Sequence, residues 1–209
     1  MFQSAMQSVS LWERRKVEAM SRIQRVALDL FDEHGYRDVT VERVAAAAGV
    51  SPSSIYRYFG TKEMLVLYDE ADPQILEVLR TAGGGETATP AELLVMARAL
   101  APILIATIIT PEVERRTRLR MQHVLTIPEV RDRQIRQMRE LEDQFRVLIA
   151  ERSGRDPNDL PLRIAVAAIV WGCAGALDHW AGTDFAEPMQ AVYTAALESI
   201  LSAVEAVLG

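Results

Sequence analysis

Residues 40–59 read TVERVAAAAGVSPSSIYRYF, and their spacing predicts two short helices joined by a tight turn. Thr40 can cap the first through its hydroxyl, and Val39 with Val44 stands at hydrophobic-staple spacing across that cap. Val41, Val44, Ala45 and Ala48 give a thin apolar face that lets another helix approach closely. Gly49 is the left-handed residue that ends the first helix. Ser51 then caps the second, Pro52 takes its first position, and Val50 with Ile55 repeats the staple spacing. Two capped short helices separated by about three residues form a helix-turn-helix. Gly60 ends the second, and Thr61 is expected to cap a long helix running to about Thr81.

The second helix divides its side chains. Ile55 and Phe59 can point inward, which leaves Ser53, Ser54, Tyr56, Arg57 and Tyr58 for contact. Hydroxyls and basic side chains hold phosphates, and a short helix fits the major groove of DNA. Lys62 follows, near a helix N-terminus whose amides favour a phosphate. The same residues would also suit a solvated surface hairpin.

Working outward, helical periodicity runs nearly end to end. Ile23, Val26, Ala27, Leu30 and Phe31 mark one buried helical face. Ser10 with Glu13 is a candidate capping box before it, and Gly35 is its natural stop. The stretch GGGETATP at 83–90 reads as a linker. Beyond it, helices are expected near 90–109, 111–126 and 128–152, each opening at a proline. The third carries an apolar seam at Met138, Leu141, Phe145 and Leu148. After a turn at 153–159, two last helices are expected near 160–180 and 185–208. No alternating β-branched run is long enough for a strand. The expected fold is all-α, about nine helices.

The charge is unevenly spread. The 209 residues carry 23 Lys plus Arg against 29 Asp plus Glu, a net −6. Residues 1–64 hold nine basic and eight acidic side chains, so they sum to +1 and residues 65–209 to −7. The asymmetry divides the chain at residue 64 into two domains with different partners. A single cysteine, Cys173, excludes an intrachain disulfide framework. The longest uncharged apolar run, 164–177, is 14 residues, short of the roughly 20 a membrane span needs. Residues 1–10 lack the pattern of a signal peptide. A soluble, cytoplasmic protein with no membrane partner is expected.

Two rows of small residues follow at helical spacing. Ala168, Gly172 and Ala176 lie along one helix, and Ala191, Ala195, Ser199 and Ala203 along the next. Such rows allow close helix packing, either within a subunit or across a dimer. A pocket between the middle helices could be lined by Leu104, Ile108, Met121, Leu125, Met138, Leu141, Phe145 and Trp171, whose flexible and aromatic side chains suit an apolar guest as well as a plain core. The arginine run Arg115, Arg116, Arg118 and Arg120 could meet ligand phosphates or pair with nearby glutamates. His34, His123, His179 and Cys173 have no metal-ligand spacing. Asp178 and His179 are neighbours that point to different faces and form no catalytic pair. Gly83–Gly85 lacks the Lys-Ser/Thr of a phosphate loop. No cofactor and no enzymatic activity are expected.

A longer pattern binds these features together. Phe31, Gly35, Tyr36, Thr40, Val44, Ala45, the run Ala48-Gly49-Val50-Ser51, Ile55-Tyr56, Tyr58-Phe59, Lys62-Glu63 and Leu65 stand where the TetR family of transcriptional regulators has them. Residues 15–67 thus resemble the DNA-binding domain of that family. The resemblance implies that Thr40, Ser51, Tyr56, Tyr58 and Lys62 hold DNA phosphates, while Pro52, Ser53, Ser54 and Arg57 face base edges. Many members have glycine where this chain has Ser53, so no operator sequence transfers. Arg14, Arg15 and Lys16 could touch the DNA backbone or lie on a solvated helix start.

Residues 113–180 carry a shorter-range resemblance, to the ligand domain of mycofactocin-type members. Arg118-Leu119-Arg120, Pro128-Glu129-Val130-Arg131, Glu140-Leu141-Glu142, Ala150-Glu151-Arg152, Asp156-Pro157 and His179-Trp180 carry it. It implies an acyl-CoA-like effector, and the family implies that the last two helices pair with their copies. The resulting expectation is a homodimeric repressor binding a palindromic operator through residues 1–64 and released by a small apolar effector bound in residues 65–209. The competing reading is a lipid- or acyl-thioester-handling enzyme or carrier whose N-terminal helices do not bind DNA.

Overall fold

The computed structural model describes residues 11–69, 75, 76, 80 and 88–208. Nine α-helices have both ends among these residues, and no strand occurs among them. They are α1 (Leu11–His34), α2 (Val41–Ala48), α3 (Pro52–Phe59), α4 (Glu63–Leu67), α5 (Pro90–Ile108), α6 (Pro111–Thr126), α7 (Pro128–Ser153), α8 (Leu160–Gly182) and α9 (Met189–Leu208). The all-α expectation holds. The candidate cap at Ser10, the linker glycines 83–85 and the side chain of Arg14 lie outside what is described.

The chain forms two compact units, Met1–Glu77 with Leu119–Gln134, and Val78–Arg118 with Ile135–Gly209. These units are not cut at residue 64, because residues 119–134 pack with the N-terminal helices.

In the first unit the buried face of α1 is turned from the expected one. Ile23, Ala27 and Phe31 are buried, but so are Met20, Gln24 and Leu28, whereas Val26 and Leu30 are half-buried. The cause is Gln24, only 1% exposed. Its Nε2 donates to the carbonyls of Val66 at 3.2 Å and Tyr68 at 2.7 Å. Those carbonyls lie at the end of α4, which stops at Leu67, where Tyr68 leaves helical geometry at φ −52°, ψ 126°. Arg120 holds the same end, donating to the Leu67 carbonyl at 3.1 Å and pairing with Asp69 at 2.8 Å. The helix expected from Thr61 to Thr81 is therefore interrupted after Leu67; of residues 70–81 only 75, 76 and 80 are described, and they are helical. The cap is corrected too: Lys62 occupies that position, with no side-chain capping bond.

In the second unit, α8 and α9 pack on each other and α9 packs on α5. Leu94, Ala165, Leu201 and Val204 form one core cluster, with Ala168 and Ile200 against it. Ala150, Leu162, Val166 and Val170 form another, joined by Met138 and Phe145 of the predicted α7 seam. The α8 row of small residues serves this internal packing. A Cβ on Gly172 would lie 2.6 Å from Ile200 Cδ1 in the same chain, so this position of the row packs closely on α9 of its own subunit. The last helix starts at Met189 rather than near 185, because Asp184 and Phe185 adopt positive φ (53° and 57°). That turn stacks Phe185 edge-on against Trp180, with ring centroids 4.7 Å apart.

The expectation that no segment is long and apolar enough to span a membrane is also corrected. By length and composition alone, α5, α8 and α9 each qualify. Isolated charges such as Arg98, Arg163 and Glu198 interrupt an uncharged run without making the whole helix polar. Val95, Ile103, Ile164, Trp171 and Val207 are exposed on these helices.

Replacing Gln24 by Leu should leave the Val66 and Tyr68 carbonyls without their donor. A loss of about 1–3 kcal/mol in unfolding free energy is expected by urea titration. A variant as stable as wild type would show that the bond contributes nothing net.

Candidate nucleic-acid interface

The helix pair predicted at 40–59 is formed by its caps. Thr40 is extended (φ −90°, ψ 161°) and its Oγ1 accepts from the Arg43 amide at 3.2 Å. Gly49, at φ 66° and ψ 37°, ends α2 in the left-handed region where a side chain would be strained. Ser51 repeats the N-cap, its Oγ accepting from the Ser54 amide at 3.2 Å, with Pro52 in the first turn. Buried Val41, Val44, Ala45 and Ala48 seat α2, and buried Ile55 and Phe59 seat α3.

Burial of positions 55 and 59 fixes what α3 presents outward. At about 100° per residue, Ser53 and Arg57 lie opposite the buried pair, and Tyr56 and Tyr58 flank them. Ser53, Tyr56 and Arg57 are exposed, Ser54 and Tyr58 half-buried. The three serine hydroxyls cluster, with Ser51 Oγ 2.9 Å from Ser53 Oγ and 2.8 Å from Ser54 Oγ. Neutral donors and one guanidinium therefore cover the outward face.

Lys62 is held rather than free. Its Nζ donates to the Tyr36 carbonyl at 2.5 Å and lies 4.2 Å from the Tyr36 ring centroid. Burial lowers its pKa, while Glu63 and Asp38 act the other way. The Tyr36 hydroxyl donates to Glu63 Oε1 at 3.3 Å. Burial, then the Glu63 charge, pushes the Tyr36 phenol far above its usual range. Burial also works against Glu63 ionising. Bonds from Thr61, its own amide and Tyr36, with the Lys62 charge, nevertheless hold its carboxyl below the usual range. Thr61 is thus engaged with Glu63, which is why it does not cap α4.

The family described as bacterial regulatory proteins, tetR family, matches residues 23–68, and the MftR C-terminal domain family matches residues 95–208, more than half of the chain. The chain belongs to the TetR family. It is a transcriptional regulator of TetR type, with a helix-turn-helix DNA-binding domain and a ligand-binding C-terminal domain. Among its relatives is MftR of Mycobacterium tuberculosis, named for transcriptional regulation of mycofactocin biosynthesis. MftR is 25% identical over 170 residues, which are 80% of this chain and 82% of that one. The regulator TcmR of Streptomyces glaucescens is 38% identical over 78 residues, 35% of this chain and 34% of TcmR. NalD of Pseudomonas aeruginosa, the secondary repressor of a multidrug efflux pump, shares the fold with TM-score 0.55 and 22% identity, over 88% of this chain and 96% of that one. FadR of Bacillus halodurans, a fatty acid degradation regulator, does so with TM-score 0.51 and 21% identity, over 88% and 94%.

Set against the TetR pattern, Thr40, Ser51, Pro52, Ser53, Ser54, Tyr56, Arg57, Tyr58 and Lys62 lie together on α2, α3 and the start of α4. The ligand-pocket residues are more scattered. Met121 is buried in the core of the first unit, and Leu125 is exposed there. In the second unit, Leu104, Ile108 and Leu141 are half-buried, Met138 and Phe145 pack on the α8 core, and Trp171 is exposed, donating to Glu142 at 2.8 Å. An open cleft of about 460 Å³ in that unit is lined instead by Ile109, Pro111, Glu114, Arg115, Arg118, Pro188 and Gln190. The arginine run is engaged with protein groups. Arg115 bonds Glu112, Arg118 stands 4.6 Å over Phe185, Arg120 pairs with Asp69, and Arg116 is buried. The small-residue row of α9 behaves otherwise: Ala191, Ala195, Ser199 and Ala203 are exposed.

Sequence reasoning missed Gln24 and the mutual binding of Tyr36, Lys62 and Glu63. The signal for the first is a polar residue set one turn from Met20 and Leu28 on a buried helix face.

Glu63 gives a pH test. Its carboxyl titrates below the usual value in the folded chain, so its stabilising share is complete above about pH 4.5 and is lost as pH falls through the depressed value. Thermal melts should show Glu63→Gln less stable than wild type at pH 7, with the gap closing below pH 4.5. A gap unchanged at low pH would contradict the assignment.

Proposed function

We propose that this regulator is a homodimeric repressor that binds a palindromic operator and is released by a small apolar effector of acyl-CoA type. The observation that carries the reading is the outward face of α3, where capping and the burial of Ile55 and Phe59 leave Ser53, Tyr56, Arg57 and Tyr58 for DNA. Residues 1–64 bind DNA, with Thr40, Ser51, Tyr56, Tyr58 and Lys62 on phosphates and Pro52, Ser53, Ser54 and Arg57 toward bases. Residues 65–209 hold the effector and the dimer contact.

Exposed Ala191, Ala195, Ser199 and Ala203 along α9, with exposed Ile164 on α8, support a second copy as the cover for this apolar surface. A two-fold dimer also matches half-sites about one helical turn apart. The effector site is assigned to Leu104, Ile108, Met138, Leu141, Phe145 and Trp171 of the second unit. For release, the effector must prefer one of two conformations rather than merely bind tightly. The site of action is the cytoplasm, and the apolar helices face protein rather than lipid. The homologues are transcriptional regulators, which supports a non-enzymatic role.

Genomic fragments retained by the purified chain provide the operator. Tyr56→Ala should then bind that fragment at least about tenfold more weakly, in line with the loss of a positioning hydrogen bond of about 1.4 kcal/mol. Its sedimentation coefficient should match that of the wild type. Undiminished binding in a low-salt gel shift would remove Tyr56 from the interface. Ala195→Glu is expected to convert the wild-type dimer to monomer and abolish retention. A stable Ala195→Glu dimer would place the interface elsewhere.

A further inference from the structure

Arg57 occupies the centre of the outward face of α3, opposite buried Ile55 and Phe59. Its side chain is held on both sides by neutral groups. Nη2 donates to Ser54 Oγ at 3.4 Å, and the guanidinium carbon lies 5.0 Å from the Tyr58 ring centroid, within cation–π range. Ser54 is itself fixed to the helix start, its hydroxyl 2.8 Å from Ser51 Oγ and its amide bonded to the same oxygen. The N-cap of α3 therefore supports the Ser54 hydroxyl, and Ser54 and Tyr58 together support the arginine.

The contrast with other arginines is chemical. Arg115, Arg120 and Arg146 each bond a carboxylate, which neutralises the charge and engages at least one N–H group. Among the described residues no ion pair involves Arg57, and a ring face and a hydroxyl fix its orientation without neutralising it. A guanidinium so presented at the centre of a groove-sized helix matches the two acceptors that guanine alone offers side by side in the major groove, O6 and N7.

We infer that Arg57 is the residue that specifies a guanine in each operator half-site, donating to O6 and N7, and that Ser54 and the Tyr58 ring are its positioning residues. The inference rests on the DNA-binding reading above and adds the base that is read. It also gives Tyr58 two separable parts, a ring that steadies Arg57 and a hydroxyl available to phosphate.

The test is selection of a randomised duplex library by the full-length chain, followed by competition binding with each base pair of the enriched site changed in turn. The wild-type chain should show one G·C pair per half-site at which substitution costs roughly 5- to 150-fold in affinity. Arg57→Ala should lower the discrimination at that pair to about twofold or less, with the other positions unchanged. Tyr58→Phe keeps the ring and should keep the discrimination, whereas Tyr58→Leu should lose most of it at that pair alone. Circular dichroism confirms that each variant is folded. A wild-type site whose base preferences survive Arg57→Ala overturns the inference and leaves the regulator reading standing. A wild-type chain that enriches no sequence overturns both. Equal discrimination by Tyr58→Phe and Tyr58→Leu overturns the positioning role of the ring.

Discussion

An eight-residue helix does not persist alone in water, because its nucleation cost exceeds what two turns return. The helix α3 exists because Ser51 satisfies an amide at its start, Gly60 closes its end, and Ile55 and Phe59 are buried. Everything proposed for this chain depends on that constraint. Burial of those two side chains decides which side faces out, and the outward side decides which groups meet DNA. The α2 helix serves the same end, since its alanines let the neighbouring helices come close without displacing α3.

The ground beneath the pair is a polar network inside an apolar unit. Gln24 accounts for the released carbonyls at the end of α4, Arg120 for the Leu67 carbonyl and Asp69, and Lys62 for the Tyr36 carbonyl. Because residues 119–134 pack within the first unit, the segment carrying Arg120 and His123 is part of what holds the DNA-binding helices. Burial lowers the pKa of His123, with the Asp32 charge opposing, so its neutral form is favoured against the Phe31 ring edge, 5.9 Å away between centroids.

What the sequence made legible is local. Caps, staples and stops act within five residues, so Thr40, Gly49, Ser51 and Gly60 announced α2 and α3, and Pro90, Pro111 and Pro128 announced three helix starts. What escaped is set by distant partners. Gln24 is buried because of carbonyls 42 and 44 residues away, and no periodicity within α1 contains them. The same i, i+4 spacing of small residues occurs in both late helices. Gly172 meets Ile200 of its own chain, while the α9 row is exposed, a distinction that spacing cannot carry. Arg118 and Arg120 likewise took partners far along the chain, at Phe185 and Asp69, while Arg115 paired within α6, and the pocket residues divided between two units.

The charge division sharpens what binding should look like. A DNA-facing segment of net +1 has no broad basic field, and most of its proposed phosphate contacts are hydroxyls. Few counterions are then displaced per dimer. The most direct measurement is the salt dependence of operator affinity, as the slope of log K against log salt, near −0.9 for each phosphate neutralised on duplex DNA. A shallow slope is expected, about −2 to −4 for the dimer. A slope of about −8 or steeper would mean that a broad basic surface drives binding and would contradict it.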